Sequence, residues 1–404
     1  MKTRTQIAID RSVGRSLAVL LNYLVRFAGL LLRPDHNLSR PFRTIAVCKF
    51  KGMGSIIQAT PLLQTLRENY PDARICFVTT PANVSLLKKM NMVDEIIVIN
   101  DSGIFKLAGS VILAIFRMWK LRIGVYFDLE IYSHFSSLIT TLSVSRNRFG
   151  FYLRSGNFRM GMYTHMMFFN INAPVSKVYL QMASLLPLKS RRETLYPVLG
   201  VHSEKVPAEN PYIVINPNAS DLRLERRWPA ENFVTLTQWL LKETPFHIVF
   251  IGAKQETAYV NDICLHFTNE EKVINLAGDT TLDELIGIIA NARGMITNDT
   301  GPMHLGFSTG CPLVALFGPC SPAHYGMTGK VVCLYKGHYC SPCIHEFIFS
   351  PCSGNNICMK DITTEEVIHA FQRLMKEEFD PPETLPSVLF HSTSTDFLPG
   401  KVTR

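Results

Sequence analysis

The stretch NDTGPMHLGFSTGCPLVALFGP, residues 298–319, constrains the fold more than any other: it reads as a strand end, a polar turn, a short helix and a second buried strand. Ile296 closes the first strand, and Asp299 and Thr300 occupy the turn. Gly301 lets backbone approach a ligand, and Pro302 suits the first helical position. The helix is predicted over residues 302–308, with Gly310 as a left-handed stop before the apolar run 313–317 resumes as a strand. Unpaired amides and the positive dipole end at the helix start make a phosphate site, with His304 one turn inside. An ordinary strand-to-helix turn, with Asp299 as a cap and His304 as a core side chain, accounts for the same residues.

The rest of the second half repeats the alternation. Strand-like runs at 212–216, 247–252 and 273–276 lead into NPNAS and RLERRWPAENF, into GAKQE, and into AGDTTLDELIGIIANA, which reads as a capped amphipathic helix. Alternating strands and helices predict a parallel sheet covered on both faces. Ligands bind beyond the carboxyl ends of such strands, where Ser220, Arg226, Glu256 and residues 299–304 would converge.

Taken in order, NPNAS, RRWPAENF, GAKQE, LAGDTTLDEL and NDTGPMHLGFSTGCPLVALFGP resemble the C-terminal domain of glycosyltransferase family 9, the bacterial lipopolysaccharide heptosyltransferases; the similarity extends over about residues 43–376. The resemblance implies an α/β GT-B fold: two Rossmann-like domains with parallel sheets facing across a cleft. It also implies an inverting sugar transfer without an essential metal, and ADP-heptose as donor. Arg226 stands where the family has a lysine that meets the diphosphate, and keeps the charge while adding bidentate geometry. Asp299, Thr300, Gly301 and His304 match the diphosphate- and sugar-binding turn. Ser220 would hold phosphate, Glu256 would meet the ribose, and Leu276 and Leu282 would border the base.

The first half opens with a strand at 44–50, the loop KGMGS at 51–55, a helix, and a second strand at 75–79. Here the chain departs from the family, which carries Gly-Asp in this loop with the aspartate as base; this chain has Gly54-Ser55. A hydroxyl is a poor proton acceptor near neutral pH. Glu130, and after it Asp128, in YFDLEIYSHFSS at the end of the strand 123–127, are the replacement candidates, against the alternative that they are a helix cap or surface charges. Lys49 and Lys51 are candidates for binding an acidic acceptor, or are plain surface lysines.

Cys340, Cys343, Cys352 and Cys358 form C-x2-C-x8-C-x5-C beside His338 and His345. Thiolates at that spacing suit one structural zinc or iron ion, and packed reduced thiols are the alternative. No cofactor is expected for catalysis itself.

With 404 residues, 47% hydrophobic and 18% charged, the chain has material for two cores. The expected division is a basic and apolar membrane-proximal segment 1–40, an acceptor-side domain 41–190, a linker 191–211, a nucleotide-sugar domain 212–362, a helix 363–376 packing back across the domains, and a loose tail 377–404. A net charge of +8 favours anionic partners, and no nucleic-acid motif accompanies it. The apolar run 16–32 is interrupted by Asn22 and Arg26 and flanked by Arg11, Arg15 and Arg33. It therefore reads as interfacial rather than spanning, as does 104–120 with its mixed aromatic and basic residues. The alternative is two core-packing helices. Together these features predict a cytoplasmic enzyme peripheral to the inner membrane, transferring sugar to a lipid-linked or surface glycan such as lipopolysaccharide. A non-catalytic protein that holds a nucleotide-sugar or glycan is the rival, and a GT-B nucleotide-sugar epimerase a third reading.

Overall fold

The computed structural model describes residues 8–152, 158–200, 203–206, 210–219, 223–325, 329–344 and 350–376. Ser220, His345 and the tail 377–404 lie outside the described residues.

Two six-stranded parallel sheets organise the chain. The first contains β1 (Thr44–Cys48), β2 (Arg74–Thr79), β3 (Glu95–Val98), β4 (Val125–Asp128), β5 (Asn147–Tyr152) and β6 (His165–Phe168), in the order β3-β2-β1-β4-β5-β6. The second contains β7 (Tyr212–Asn216), β8 (His247–Phe250), β9 (Val273–Asn275), β10 (Gly294–Asn298), β11 (Leu313–Phe317) and β12 (Val331–Tyr335), in the order β12-β11-β10-β7-β8-β9. Counted from its own first strand, each sheet has the same doubly wound order. Each therefore has a switch point, between β1 and β4 and between β7 and β10, where chain direction around the sheet reverses and a crevice opens.

Central strands buried on both faces need continuous apolar runs rather than alternation. TIAVC in β1, YIVIN in β7 and LVALF in β11 supply them, and every residue of these strands is buried. The register pairs Cys48 with Asp128 across the first switch point and Thr297 with Asn216 across the second.

The helices are α1 (Arg15–Leu32), α2 (Met53–Gln58), α3 (Thr60–Asn69), α4 (Val84–Met90), α5 (Ile104–Leu121), α6 (His134–Leu142) and α7 (Val175–Ala183) around the first sheet. Around the second are α8 (Ala230–Glu243), α9 (Thr257–Cys264), α10 (Leu282–Asn291), α11 (Gly301–Thr309), α12 (Pro322–Tyr325), α13 (Ile357–Lys360) and α14 (Thr364–Met375). Thr281 and Glu284 form the capping box that starts α10, and Gly310, at φ 75°, ends α11 in the left-handed region.

The C-terminal helix corrects the expectation that it bridges the domains. α14 packs on β10, β11, β12 and α8, all in the second domain. Its apolar stripe of Val367, Ala370, Phe371 and Leu374 is consumed by the cluster around Trp228, Phe233 and Leu240, which leaves no apolar face for the first domain. The domains are instead joined by α2 against α11 and by α7 against α12.

Trp228 is fully buried, and its indole N–H donates to the Ile362 carbonyl at 2.7 Å, tying the segment before α14 to the domain. Trp228→Phe keeps most of the packing and orphans that carbonyl. Urea denaturation should show a loss of about 1–3 kcal/mol.

Candidate active site

The second switch point is stitched by asparagines. The Asn216 amide donates to Thr297 Oγ1 at 2.8 Å and Thr300 Oγ1 at 2.7 Å, and the Asn298 amide donates to the carbonyls of Pro217 and Asn218. These bonds hold the NPNA loop and the Asp299-Thr300 turn together at the carboxyl ends of β7 and β10. Arg226 reaches the same turn: its Nη1 donates to the Asp299 carbonyl at 3.1 Å, and its Nε lies 3.4 Å from Asp299 Oδ2. Both side chains are largely buried. Burial is the largest influence on Arg226 and opposes its charge, but Asp299, Tyr325 and Cys320 together outweigh it and the guanidinium pKa ends raised; at Asp299 burial dominates and the carboxyl pKa rises despite Arg226.

His304 is brought to this centre but faces the first domain. Its Nδ1 lies 3.1 Å from Gln58 Nε2; with the amide donating, the neutral ring carries its proton on Nε2. A Cβ on Gly54 would come within 2.2 Å of the His304 ring, so only glycine permits this approach. Burial, then Arg226 and His324, push the His304 pKa down to about 3. His324 is lowered to about 4, again chiefly by burial, although the backbone of Ile171 and Ala173 in the first domain favours its charged form.

Of the remaining donor-side candidates, Glu256 is half-buried and accepts the Ala253 N–H at 2.8 Å. Leu276 is buried in the core, and Leu282 packs against that core from a half-buried position.

The first switch point carries a second buried ion pair. Lys49 Nζ lies 2.9 Å from Glu130 Oε2, and Glu130 Oε1 accepts the N–H of Phe50 at 2.8 Å and of Lys51 at 3.3 Å. Burial works against both charges and the pair overcomes it: the Lys49 pKa rises and the Glu130 pKa falls below its usual value. Lys51 is exposed, Gly54 is buried under His304, and the Ser55 side chain meets the Tyr179 hydroxyl.

Asp128 is corrected from base candidate to structural acid. It has no exposed surface; its carboxylate accepts from Tyr163, from Ser136 Oγ at 2.8 Å and from the Glu130 N–H at 2.9 Å. Arg159, equally buried, donates to the carbonyls of Glu130 and Ser133 and so fixes the loop carrying Glu130. Gln58, Arg159, Tyr163, Tyr179 and Tyr325 make these contacts and were not legible in sequence, since each stands singly, Gln58, Tyr179 and Tyr325 in helices and Arg159 and Tyr163 in the connection between β5 and β6, with no local pattern to mark it. The asparagines of NPNA and NDT were visible as polar residues at strand ends, a signal for loop stitching.

Cys340, Cys343, Cys352 and Cys358 line one small cavity together with Glu225. As placed, no three His, Cys, Asp or Glu side chains among the described residues form a metal-binding group. Burial, then the neighbouring thiols, push Cys358 up to about 12. His338 is turned to Asp361, 2.8 Å away. The loop braces the Arg226 segment: the Asn356 amide donates to the carbonyls of Glu225 and Arg227, on both sides of Arg226.

Two doubly wound domains with their switch points facing define a GT-B protein. The family model of glycosyltransferase family 9 (heptosyltransferase) matches residues 165–349. Lipopolysaccharide heptosyltransferase 2 of Salmonella typhimurium is 28% identical over 176 residues, 42% of this chain and 49% of that protein, so the chain spans about half the length of this relative. Lipooligosaccharide heptosyltransferase 2 of Campylobacter jejuni is 26% identical over 331 residues, 80% of this chain and 96% of that protein. The structure of Escherichia coli ADP-heptose lipopolysaccharide heptosyltransferase II superposes with TM-score 0.66 at 23% identity, covering 83% of this chain and 99% of that one, which establishes the fold. Over residues 165–349 the chain matches glycosyltransferase family 9, and over 80% of its length it is similar to a lipooligosaccharide heptosyltransferase.

His304 and His324 are neutral in the folded protein at pKa values of about 3 and 4, against 6.5 when exposed. Their folded values are depressed, so the stability they allow is intact above pH 6.5 and is lost as pH falls from there toward 4. Each should contribute a slope of up to about 1.4 kcal/mol per pH unit in that window. Thermal melts across it should show His324→Asn with a shallower acid loss than the wild type.

Proposed function

We propose that the chain is an inverting glycosyltransferase of the cytoplasm, moving a sugar from a nucleotide-diphosphate donor, ADP-heptose by preference, to a hydroxyl of a lipopolysaccharide or related glycan. The observation that carries this reading is a buried, fixed charge at each switch point, Arg226 with the Asp299-Thr300-Gly301 turn in one domain and the ionised Glu130 in the other, in domains joined by α2 against α11. The names of the relatives support heptose transfer, and the named donor of the Escherichia coli protein supports ADP-heptose.

In this reading the Glu130 carboxylate takes the proton of the acceptor hydroxyl as its oxygen attacks the anomeric carbon. The bond from that carbon to the diphosphate breaks, and negative charge gathers on the leaving group. Arg226 and the amides at the start of α11 stabilise that charge. Lys49 keeps Glu130 ionised at neutral pH, and Ser55 leaves space where the family places its aspartate. No metal enters the step.

We also propose that the four thiols around the Glu225 cavity hold a structural zinc or iron ion. Four soft ligands lining one cavity have the chemistry either metal takes, and binding would draw the thiols closer than they stand here. The ion's role would be to order the loop whose Asn356 fixes the backbone beside Arg226.

Calorimetry with ADP-heptose beside UDP-, GDP- and dTDP-sugars tests the first reading. Selective binding of ADP-heptose is expected, with Arg226→Ala losing roughly 1.5–3 kcal/mol. Binding of none of the panel overturns it. Glu130→Gln should abolish transfer while the donor affinity and melting temperature stay near those of the wild type; donor binding without turnover in the wild type marks a non-catalytic holder.

Elemental analysis of protein purified under reducing conditions tests the metal. About one equivalent of zinc or iron is expected, with a lowered melting temperature after chelation; less than about half an equivalent leaves packed thiols.

A further inference from the structure

α1 is built inside out. A surface helix of a water-soluble domain turns its apolar stripe to the core and its polar side chains to water. Here one row that meets the protein, starting in the turn of helix just before α1, is Asp10, Gly14, Ala18, Asn22 and Arg26, four residues apart and small or polar, with Leu21 packed beside it. The Asp10 carboxylate accepts the backbone N–H groups of His134 and Phe135, capping α6. Gly14 lets the chain close on His134, where a Cβ would lie 3.3 Å from the histidine's own. Ala18 is fully buried. The Asn22 amide donates to the carbonyls of Phe158 and Met160, and Arg26 donates to Met160 and to Asn22 Oδ1. The two polar residues that interrupt the apolar run are therefore its fastening to the domain.

The opposite row is exposed and apolar: Leu20, Leu24, Phe27 and Leu31 follow one another along it, Leu31 at 68% exposure. The helix from Asp10 to Leu32 is long and apolar enough to cross a membrane, with only 6% of it buried in the protein. Its side-chain bonds to Phe158, Met160 and α6 hold it flat on the domain instead. A large patch of this kind marks an interaction surface.

The patch continues on α5. α5 and α6 share one hydrophobic cluster beneath the same face of the first sheet, and α6 contacts both α1 and α5. From α5, Phe105, at 90% exposure, with Leu113, Phe116 and Trp119, stands out from the protein. The Trp119 indole donates to Leu142 at the end of α6, next to the exposed Val144. The sequence supplies the matching charge: neither 11–34 nor 102–123 contains an acidic residue, while Arg11, Arg15, Arg33, Lys106, Lys120 and Arg122 do occur there, all exposed.

We infer that α1 and α5 form a monotopic docking surface for an anionic phospholipid bilayer, with α1 lying in the interface plane, apolar side outward, rather than crossing it. Apolar burial supplies the adhesion, and the basic residues select anionic lipid. Because Asp10 caps α6 just after the Glu130 loop, the surface also fixes the depth of that loop relative to the lipid. The inference is independent of the donor and of turnover.

Flotation of the full chain with vesicles of phosphatidylcholine, with and without phosphatidylglycerol, tests it. The wild type is expected to float with the phosphatidylglycerol vesicles and only weakly with phosphatidylcholine alone. The triple variant Leu20→Glu, Leu24→Glu, Phe27→Glu should lose at least about tenfold in partitioning with its melting temperature unchanged, because it touches only exposed positions. Phe105→Glu with Leu113→Glu, on the other helix, should weaken binding in the same direction and keeps the test independent of α1 folding. Alkaline carbonate should release the wild type from membranes. Failure to float, retention after carbonate, or a concentration-dependent dimer that the triple variant dissolves overturns the inference in favour, respectively, of no lipid surface, a spanning helix, or a second copy of the chain.

Discussion

The close approach of α2 and α11 is the constraint on which the cleft depends. Gly54 has no side chain, so the His304 ring occupies the space a Cβ would take, and Gln58 meets its Nδ1. Gly301 meets Met53 with similar closeness, a Cβ there falling 2.9 Å from the methionine methyl group. Two helices that each begin at a switch point are thereby packed against each other across the domain boundary. The segments that follow β1 and β10 are thereby brought into contact across the boundary.

Around that contact each domain keeps a buried ion pair, Lys49 with Glu130 and Arg226 with Asp299. Buried pairs of this kind add little net stability, since desolvation offsets the attraction. Their value lies in fixing charged groups where water would otherwise let them wander. Lys49 and two backbone amides hold Glu130 in one orientation, and Asp299 with its own carbonyl holds Arg226. Groups fixed in advance lose less entropy when a substrate arrives. The two interdomain histidines, neutral through burial, let the same region stay closed without adding positive charge to the Arg226 side.

Much of this was legible in sequence, and for identifiable reasons. The β7 and β11 strands stand out as unbroken apolar runs, Gly310 as a helix stop and Thr281 with Glu284 as a capping box, because each depends on neighbours within a few residues. The convergence of Arg226 with Asp299 was also anticipated, because both follow the carboxyl ends of strands in a parallel sheet. Asp128 was misjudged because a carboxylate at a strand end looks the same in sequence whether it faces solvent or Tyr163 and Ser136. α14 was misjudged because an amphipathic stripe declares that it will be buried without saying against which domain.

The sequence by itself determined the alternation of strands and helices that builds a parallel sheet, the turn at the start of α11, the clustering of four cysteines and the presence of an apolar N-terminal helix; the doubling into two such domains was implied by the family resemblance. These are properties of hydrophobic period, turn chemistry and local spacing, which act over short stretches of chain. Only the tertiary structure decided that His304 turns to Gly54 and Gln58, that Lys49 is a buried partner of Glu130 rather than a surface charge, and that Asn22 and Arg26 fasten α1 to the domain with its leucines outward. Each of those outcomes joins residues far apart in the chain. Which face of a helix or which end of a side chain is satisfied depends on the donors and acceptors that folding brings to it, and a linear reading contains no such distance.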